Sequence, residues 1–248
     1  MKTLQNAITI ATAANSTLRG MLVTPENLQP QNPAILLLHG WMSDMHGYIP
    51  RAAALAAHGY ICLTFDLRGH GTSDGKLSEV TAQGSLQDAV AAYDFLASLA
   101  AVNPSSMSVV GSSYGGYLAA LLTAQRPVAA LALRSPALYR DDMFAMPKVQ
   151  EMRSTLQAYR QLPLGVADNN ALHALSTYTN PVLLIEAEKD EQIPHQTLEN
   201  YRKAINPKAA VTNVLLAHAD HGLTKPEWKQ QFLALLVDWF VHNGVGNL

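Results

Sequence analysis

Apolar positions along the chain fall into two kinds of block that take turns. Ala34-Ile35-Leu36-Leu37-Leu38 is a continuous apolar run, and Tyr60 to Phe65 is another. Runs of this length predict strands buried on both faces, as in parallel sheets. Met107–Val110, Val128–Leu133, Val182–Ile185 and Val211–Ala217 predict four more. Longer stretches separate them and read as helices: Pro50 to His58, ended by Gly59, and Ser85 to about Leu99, with Ser85 as N-cap and Asp88 three residues on. Tyr114–Gln125, His195–Ile205 and Pro226–Val241 complete the helical set. The N-terminus differs. Ala7 to Ile10 alternates apolar with polar, Asn15-Ser16 reads as a turn, and Leu18 to Val23 returns as a second strand stopped by Pro25. Repeated strand–helix units behind such a hairpin predict the α/β class, with a mostly parallel central sheet and helices on both faces.

The rhythm breaks from Ala137 to Thr179, where Met-rich and charged pieces are interrupted by Pro147, Pro163 and Gly165. With no internal repeat and 248 residues, this reads as a cap insertion at 137–179 within a single domain spanning 1–248. A hydrophobic share of 48% with 15% charged residues excludes a disordered chain. Lys and Arg number 17 against 19 Asp and Glu, without a basic block, which argues against a nucleic-acid partner. Met1-Lys2 and the small residues Ala13 and Ala14 sketch a leader, but Gln5, Asn6, Thr9 and Thr12 interrupt its apolar region. No apolar run reaches bilayer length. The expectation is a cytoplasmic protein without a membrane partner, of unassigned oligomeric state. Cys62, the one cysteine, sits in an apolar run and reads as a small buried hydrophobe.

The sharpest chemical signal is Gly111-Ser112-Ser113-Tyr114-Gly115-Gly116, directly after a buried strand and opening a helix. A nucleophilic serine at such an elbow occupies a strained turn, and glycines two residues either side let strand and helix approach. Ser113 has Gly111 and Gly115 at those places; Ser112 has Val110 and Tyr114. A serine needs a base, and the base an orienting acid. Ala217-His218-Ala219-Asp220-His221-Gly222 offers two histidines, of which His221 lies beyond the strand and before a glycine. A metal reading of His218-x-Asp220-His221 fails because Leu216 stands where a first histidine is needed. Glu186, Glu188, Asp190 and Glu191 follow the strand at Val182. Asp190 is the candidate, with Ile193-Pro194 closing its turn; Glu188 and Glu191 read as solvated charges and Glu186 as still within the strand.

The order Ser113, Asp190, His221 resembles the α/β-hydrolase superfamily, from His39 to the last helix. His39-Gly40-Trp41 resembles its turn after the third strand, and Asp66-x-Arg68-Gly69-x-Gly71-x-Ser73 its loop after the fourth. Asp190-x-x-Ile193-Pro194 and Asp220-His221-Gly222 are similar to its acid and histidine loops, although Ala187 stands where many relatives have glycine. Within the superfamily the chain resembles small short-cap serine carboxylesterases of the cinnamoyl and feruloyl esterase type. Its Ser113-Tyr114-Gly115-Gly116 run also resembles prolyl-oligopeptidase-type peptidases.

The resemblance implies a serine esterase that cleaves small-molecule esters of small or aromatic acyl groups through an acyl-enzyme, with Ser113, Asp190 and His221 as its triad. It also implies an oxyanion hole from the backbone N–H groups of Trp41 and Tyr114. His39 and Arg68 read as supports for their loops. Tyr139, Met143, Phe144 and Met146 of the insertion are either an apolar lip over Ser113 that binds substrate or packing against the sheet; both readings stand. No cofactor or metal is implied. Two other functions stay open: an amide or peptide hydrolase, and a ligand-binding module without catalysis. Serine at the elbow excludes a dehalogenase.

Overall fold

The computed structural model describes residues 1–13 and 16–243. Ala14 and Asn15, named above for a leader and a turn, lie outside the described residues. One sheet holds eight strands: β1 (Thr3–Ala11), β2 (Thr17–Pro25), β3 (Asn32–Leu38), β4 (Ile61–Phe65), β5 (Val102–Ser112), β6 (Leu131–Arg134), β7 (Val182–Lys189) and β8 (Val211–Asp220). Their order is β1-β2-β4-β3-β5-β6-β7-β8. The hairpin β1–β2 and the pairing of β2 with β4 are antiparallel, and every pairing from β4 to β8 is parallel. This is the α/β-hydrolase architecture that the resemblance implied. The order reverses at β3, which lies between β4 and β5, so the carboxyl ends of β3 and β5 open a crevice where such sheets bind ligands.

Alternation along the strands divides the core in two. Leu36, Leu38, Leu63 and Val109 face α2 (Ala82–Ala97) and α3 (Tyr114–Leu122), in one continuous cluster with α5 (Asn170–Thr177) and α6 (His195–Ala204). Ile35, Leu37, Cys62 and Val110 face the other way, against Leu55 of α1 (Ile49–Ala56) and Phe232 and Leu236 of α7 (Pro226–Asn243). Every residue of β3 and β4 is buried, and each such leucine or isoleucine stabilises the fold by roughly 2 kcal/mol relative to exposure. Cys62 is fully buried at the centre of β4, and burial pushes its thiol well above the usual range.

Two features differ from the sequence reading. Helix α2 begins a turn earlier, because Thr81, not Ser85, caps it: Thr81 Oγ1 accepts the Gly84 N–H at 2.9 Å. Asp88 is no capping acid; its carboxylate receives Arg68 Nε at 2.8 Å and Nη2 at 2.5 Å. The segment 137–179 also divides. Its helix α5 packs with α3 and α6 in the main helical layer. The stretch before α4 (Arg153–Arg160) is pinned to the start of α2 by Gln83 N–H donating to Phe144 C=O and Lys148 N–H to Val80 C=O.

Candidate active site

Ser113 stands between β5 and α3 with φ 53° and ψ −115°, a backbone region that costs a non-glycine residue about 1–3 kcal/mol. The strain persists because the turn is closed from both sides. A Cβ on Gly115 would lie 2.2 Å from the Leu38 carbonyl oxygen, and one on Gly111 2.3 Å from that of Gly115. The two glycines therefore do what the elbow reading required. Ser112 remains in β5, buried, with its Oγ accepting from Arg134 Nε at 3.2 Å.

Strands β7 and β8 deliver the partners. Asp190 follows the last residue of β7 and accepts the backbone N–H groups of Gln192 at 2.9 Å and Ile193 at 2.8 Å on Oδ1. Its Oδ2 lies 2.7 Å from His221 Nδ1, and His221 Nε2 lies 3.0 Å from Ser113 Oγ. An ionised carboxylate only accepts, so Nδ1 carries the imidazole proton and Nε2 is left to accept from the serine hydroxyl. Burial pushes the Asp190 carboxyl up, but the hydrogen bonds from His221 and Ile193 outweigh it and hold the group below its usual range. Ser113, His221 and Asp190 are thus brought into one chain of hydrogen bonds.

The rejected candidates go elsewhere. His218 lies within β8, which runs three residues further than the apolar pattern indicated, and faces Glu188. Glu186 accepts from His195 Nδ1 at 2.6 Å and from Arg202. Glu191 is exposed.

The loop after β3 covers the serine. A Cβ on Gly40 would lie 3.4 Å from Ser113 Cβ. Next along, the backbone N–H of Trp41 and that of Tyr114 donate to no acceptor among the described residues. Buried His39 braces this loop, accepting the Leu67 N–H on Nε2 at 3.0 Å and donating from Nδ1 to the Gly40 carbonyl at 2.8 Å. Burial lowers its pKa to about 4. Asp66 and Arg68 hold the neighbouring loop, Asp66 by accepting from Met45 and Thr72, Arg68 through Asp88.

A cavity of about 540 Å³ opens beside Ser113 and His221, in the ordinary size range for a small-molecule site. Its walls are not the insertion. They come from Tyr48, Pro50 and Arg51 at the start of α1, and from Gly222, Leu223 and Lys229 beyond β8. Tyr139 is buried against the rings of Tyr114 and Tyr117, with the Lys148 ammonium 3.3 Å over its centroid. Phe144 packs on the core, and neither it nor Met143 nor the exposed Met146 lines the cavity. Tyr139 and Phe144 pack into the core, and backbone bonds to residues 80–83 tie the stretch from Phe144 to Lys148 to the start of α2. Sequence reasoning missed Arg134 and Arg51. The one available signal was a lone arginine ending the apolar strand Leu131-Ala132-Leu133-Arg134.

Residues 29–201 match the family described as "Serine aminopeptidase, S33". The chain belongs to that family of α/β hydrolases. An uncharacterized protein of Mycobacterium tuberculosis is 31% identical over 202 residues, covering 80% of this chain and 67% of the relative. The mitochondrial palmitoyl-protein thioesterase ABHD10 of Rattus norvegicus is 28% identical, covering 80% and 72%. Among solved structures, Est1E from Butyrivibrio proteoclasticus with ferulic acid bound superposes with a TM-score of 0.75 at 19% identity, covering 95% of this chain and 98% of that one. The hydrolase is therefore similar in sequence to a thioesterase and to a family described by a peptidase, and shares its fold with Est1E. Among the described residues no helix is long and apolar enough to cross a membrane.

Proposed function

We propose that this hydrolase cleaves carboxylic esters of small acyl groups through an acyl-enzyme at Ser113. The observation that carries the reading is the continuous hydrogen-bond chain from Ser113 Oγ through His221 to Asp190, opening on a cavity. Ser113 Oγ attacks the ester carbonyl carbon while its proton passes to His221 Nε2. Asp190 holds the tautomer and balances the imidazolium. Collapse of the tetrahedral intermediate breaks the bond to the alkoxide, which leaves with the proton from Nε2. Water then adds to the acyl-enzyme with His221 again as base, and the carboxylic acid departs as the Ser113 hydroxyl re-forms. The free N–H groups of Trp41 and Tyr114 support their reading as oxyanion donors, each worth roughly 3–4 kcal/mol in the transition state.

A cavity of about 540 Å³ with three cationic side chains on its wall favours short substrates over a long alkyl chain. Hydrolysis of p-nitrophenyl acetate, butyrate and octanoate by wild type and Ser113→Ala tests the proposal. Turnover falling by roughly 10⁶-fold in the variant, with acetate or butyrate preferred over octanoate, is the expected result. Equal rates in the two proteins would end it. Amide hydrolysis is the second reading, favoured by the family description and by the Tyr114-Gly115-Gly116 run. Cleavage of aminoacyl p-nitroanilides at rates matching the esters would put it first.

A further inference from the structure

Two arginines and a lysine converge on the cavity beside Ser113: Arg51 from the first turn of α1, Arg134 from the end of β6, and Lys229 from α7. None of the three pairs with a carboxylate among the described residues, whereas Arg68, Arg126, Arg140 and Arg202 all do. Arg134 is buried and spends donors on Ser112 Oγ and on the His221 carbonyl at 2.7 Å. Its nearest carboxylates are already engaged, Asp190 by His221 and Asp220 by the backbone of Thr224. Arg51 lies over the rings of Tyr48 and Phe232 and donates to the Gly47 carbonyl, but its Nε is buried with no partner. A buried donor left unmade is costly, so the fold leaves this guanidinium under-satisfied, and the residue that carries it lines the cavity. Burial and the neighbouring Arg134 both act against the charge on Arg51, so the pair is poised to gain from an anion.

Resting on the hydrolase reading above, we infer that this cavity recognises an ester whose acyl or alcohol part bears a carboxylate. Arg51 is the principal contact, because a guanidinium edge matches the two oxygens of a carboxylate. Arg134 contributes its field from behind, and exposed Lys229 draws the anion in from the mouth. The negative charge of the substrate replaces the counter-ion that the fold does not supply.

The test compares two matched pairs of esters. Monomethyl glutarate against methyl valerate probes the acyl side, and 4-acetoxybenzoate against p-tolyl acetate the alcohol side. Each kcat/KM is divided by that ester's alkaline hydrolysis rate. Wild type is expected to prefer the anionic member of at least one pair by about tenfold or more. The preference is expected to fall below about threefold in Arg51→Met, to be partly kept in Arg51→Lys, and to drop by a smaller step in Lys229→Met. Circular dichroism and thermal midpoints report whether each variant folds, and exposed Lys229 carries the test if Arg51→Met does not. A wild-type ratio at or below one in both pairs, with Ser113-dependent turnover of the neutral esters, would overturn the anion site and leave the hydrolase reading intact. A preference surviving in both Arg51→Met and Lys229→Met would also overturn it. Hydrolysis that persists in Ser113→Ala would instead strike the hydrolase reading.

Discussion

His221 and His218 stand on either side of the end of β8, and each faces a carboxylate from the end of β7. Asp190 lies 2.7 Å from His221 Nδ1 and Glu188 3.1 Å from His218 Nδ1. The chemistry of the two pairs is nearly the same, and their surroundings are not. The His221 and Asp190 side chains are 12% and 3% exposed, those of His218 and Glu188 80% and 33%. An exposed pair of this kind contributes about 0–1 kcal/mol and fixes little, since water competes for both groups. In the enclosed pair the carboxylate has two backbone N–H donors to hold it, the imidazole has one available tautomer, and its far nitrogen meets a serine. Enclosure and a third partner separate the candidate base from a surface histidine.

The largest expected effect breaks the comparison directly. His221→Ala is expected to lower kcat on p-nitrophenyl butyrate by roughly 10⁶-fold and Asp190→Asn by about 10⁴-fold. His218→Ala and Glu188→Gln should stay within about twofold of wild type. Comparable losses from the two pairs would remove the argument from enclosure.

His39 sharpens it on the stability side. Its pKa is about 4 when folded, against an ordinary 6.5, so between those values the unfolded chain binds the proton that the folded one refuses. Stability is therefore full above pH 6.5 and declines as pH falls toward 4, by about 3 kcal/mol from this residue alone. Urea unfolding at pH 7 and pH 4.5 should show that decline in wild type and a shallower one in His39→Gln. Parallel curves would mean that His39 is not held neutral.

Backbone strain gives the smallest effect. Ser113 and His218 both have positive φ, at 53° and 61°. Histidine tolerates the left-handed region, but Ser113 with ψ −115° sits outside it. Ser113→Gly should raise the unfolding free energy by about 1 kcal/mol, the relief of strain exceeding the added freedom of the unfolded chain. His218→Gly should change it by a few tenths. Denaturant midpoints decide, and a destabilised Ser113→Gly would show the elbow to be relaxed.

The strands of the parallel half, the elbow and the histidine loop were legible because each is written locally, as an apolar run or a glycine at a fixed offset. The cap of α2 was less so. Ser85 and Asp88 have the right spacing, but Asp88 answers to Arg68, twenty positions away. The cavity walls were least legible. Tyr139 and Phe144 look like a lip in sequence, and only the structure shows Tyr139 against the rings of α3 and Phe144 tied to the start of α2. Arg51 resembles any exposed helical arginine until α7 and β6 bring Phe232 and Arg134 beside it.

Cys62 has a consequence of another kind. The chain's single thiol lies at 0% exposure in the middle of the sheet, protonated far beyond neutral pH. A thiol reagent cannot meet it until β4 leaves its neighbours on both sides, an opening that takes the central sheet with it. The rate of alkylation in native buffer thus becomes an internal clock for whole-molecule opening, needing no introduced label. Loop motion around Ser113 would leave that clock unchanged.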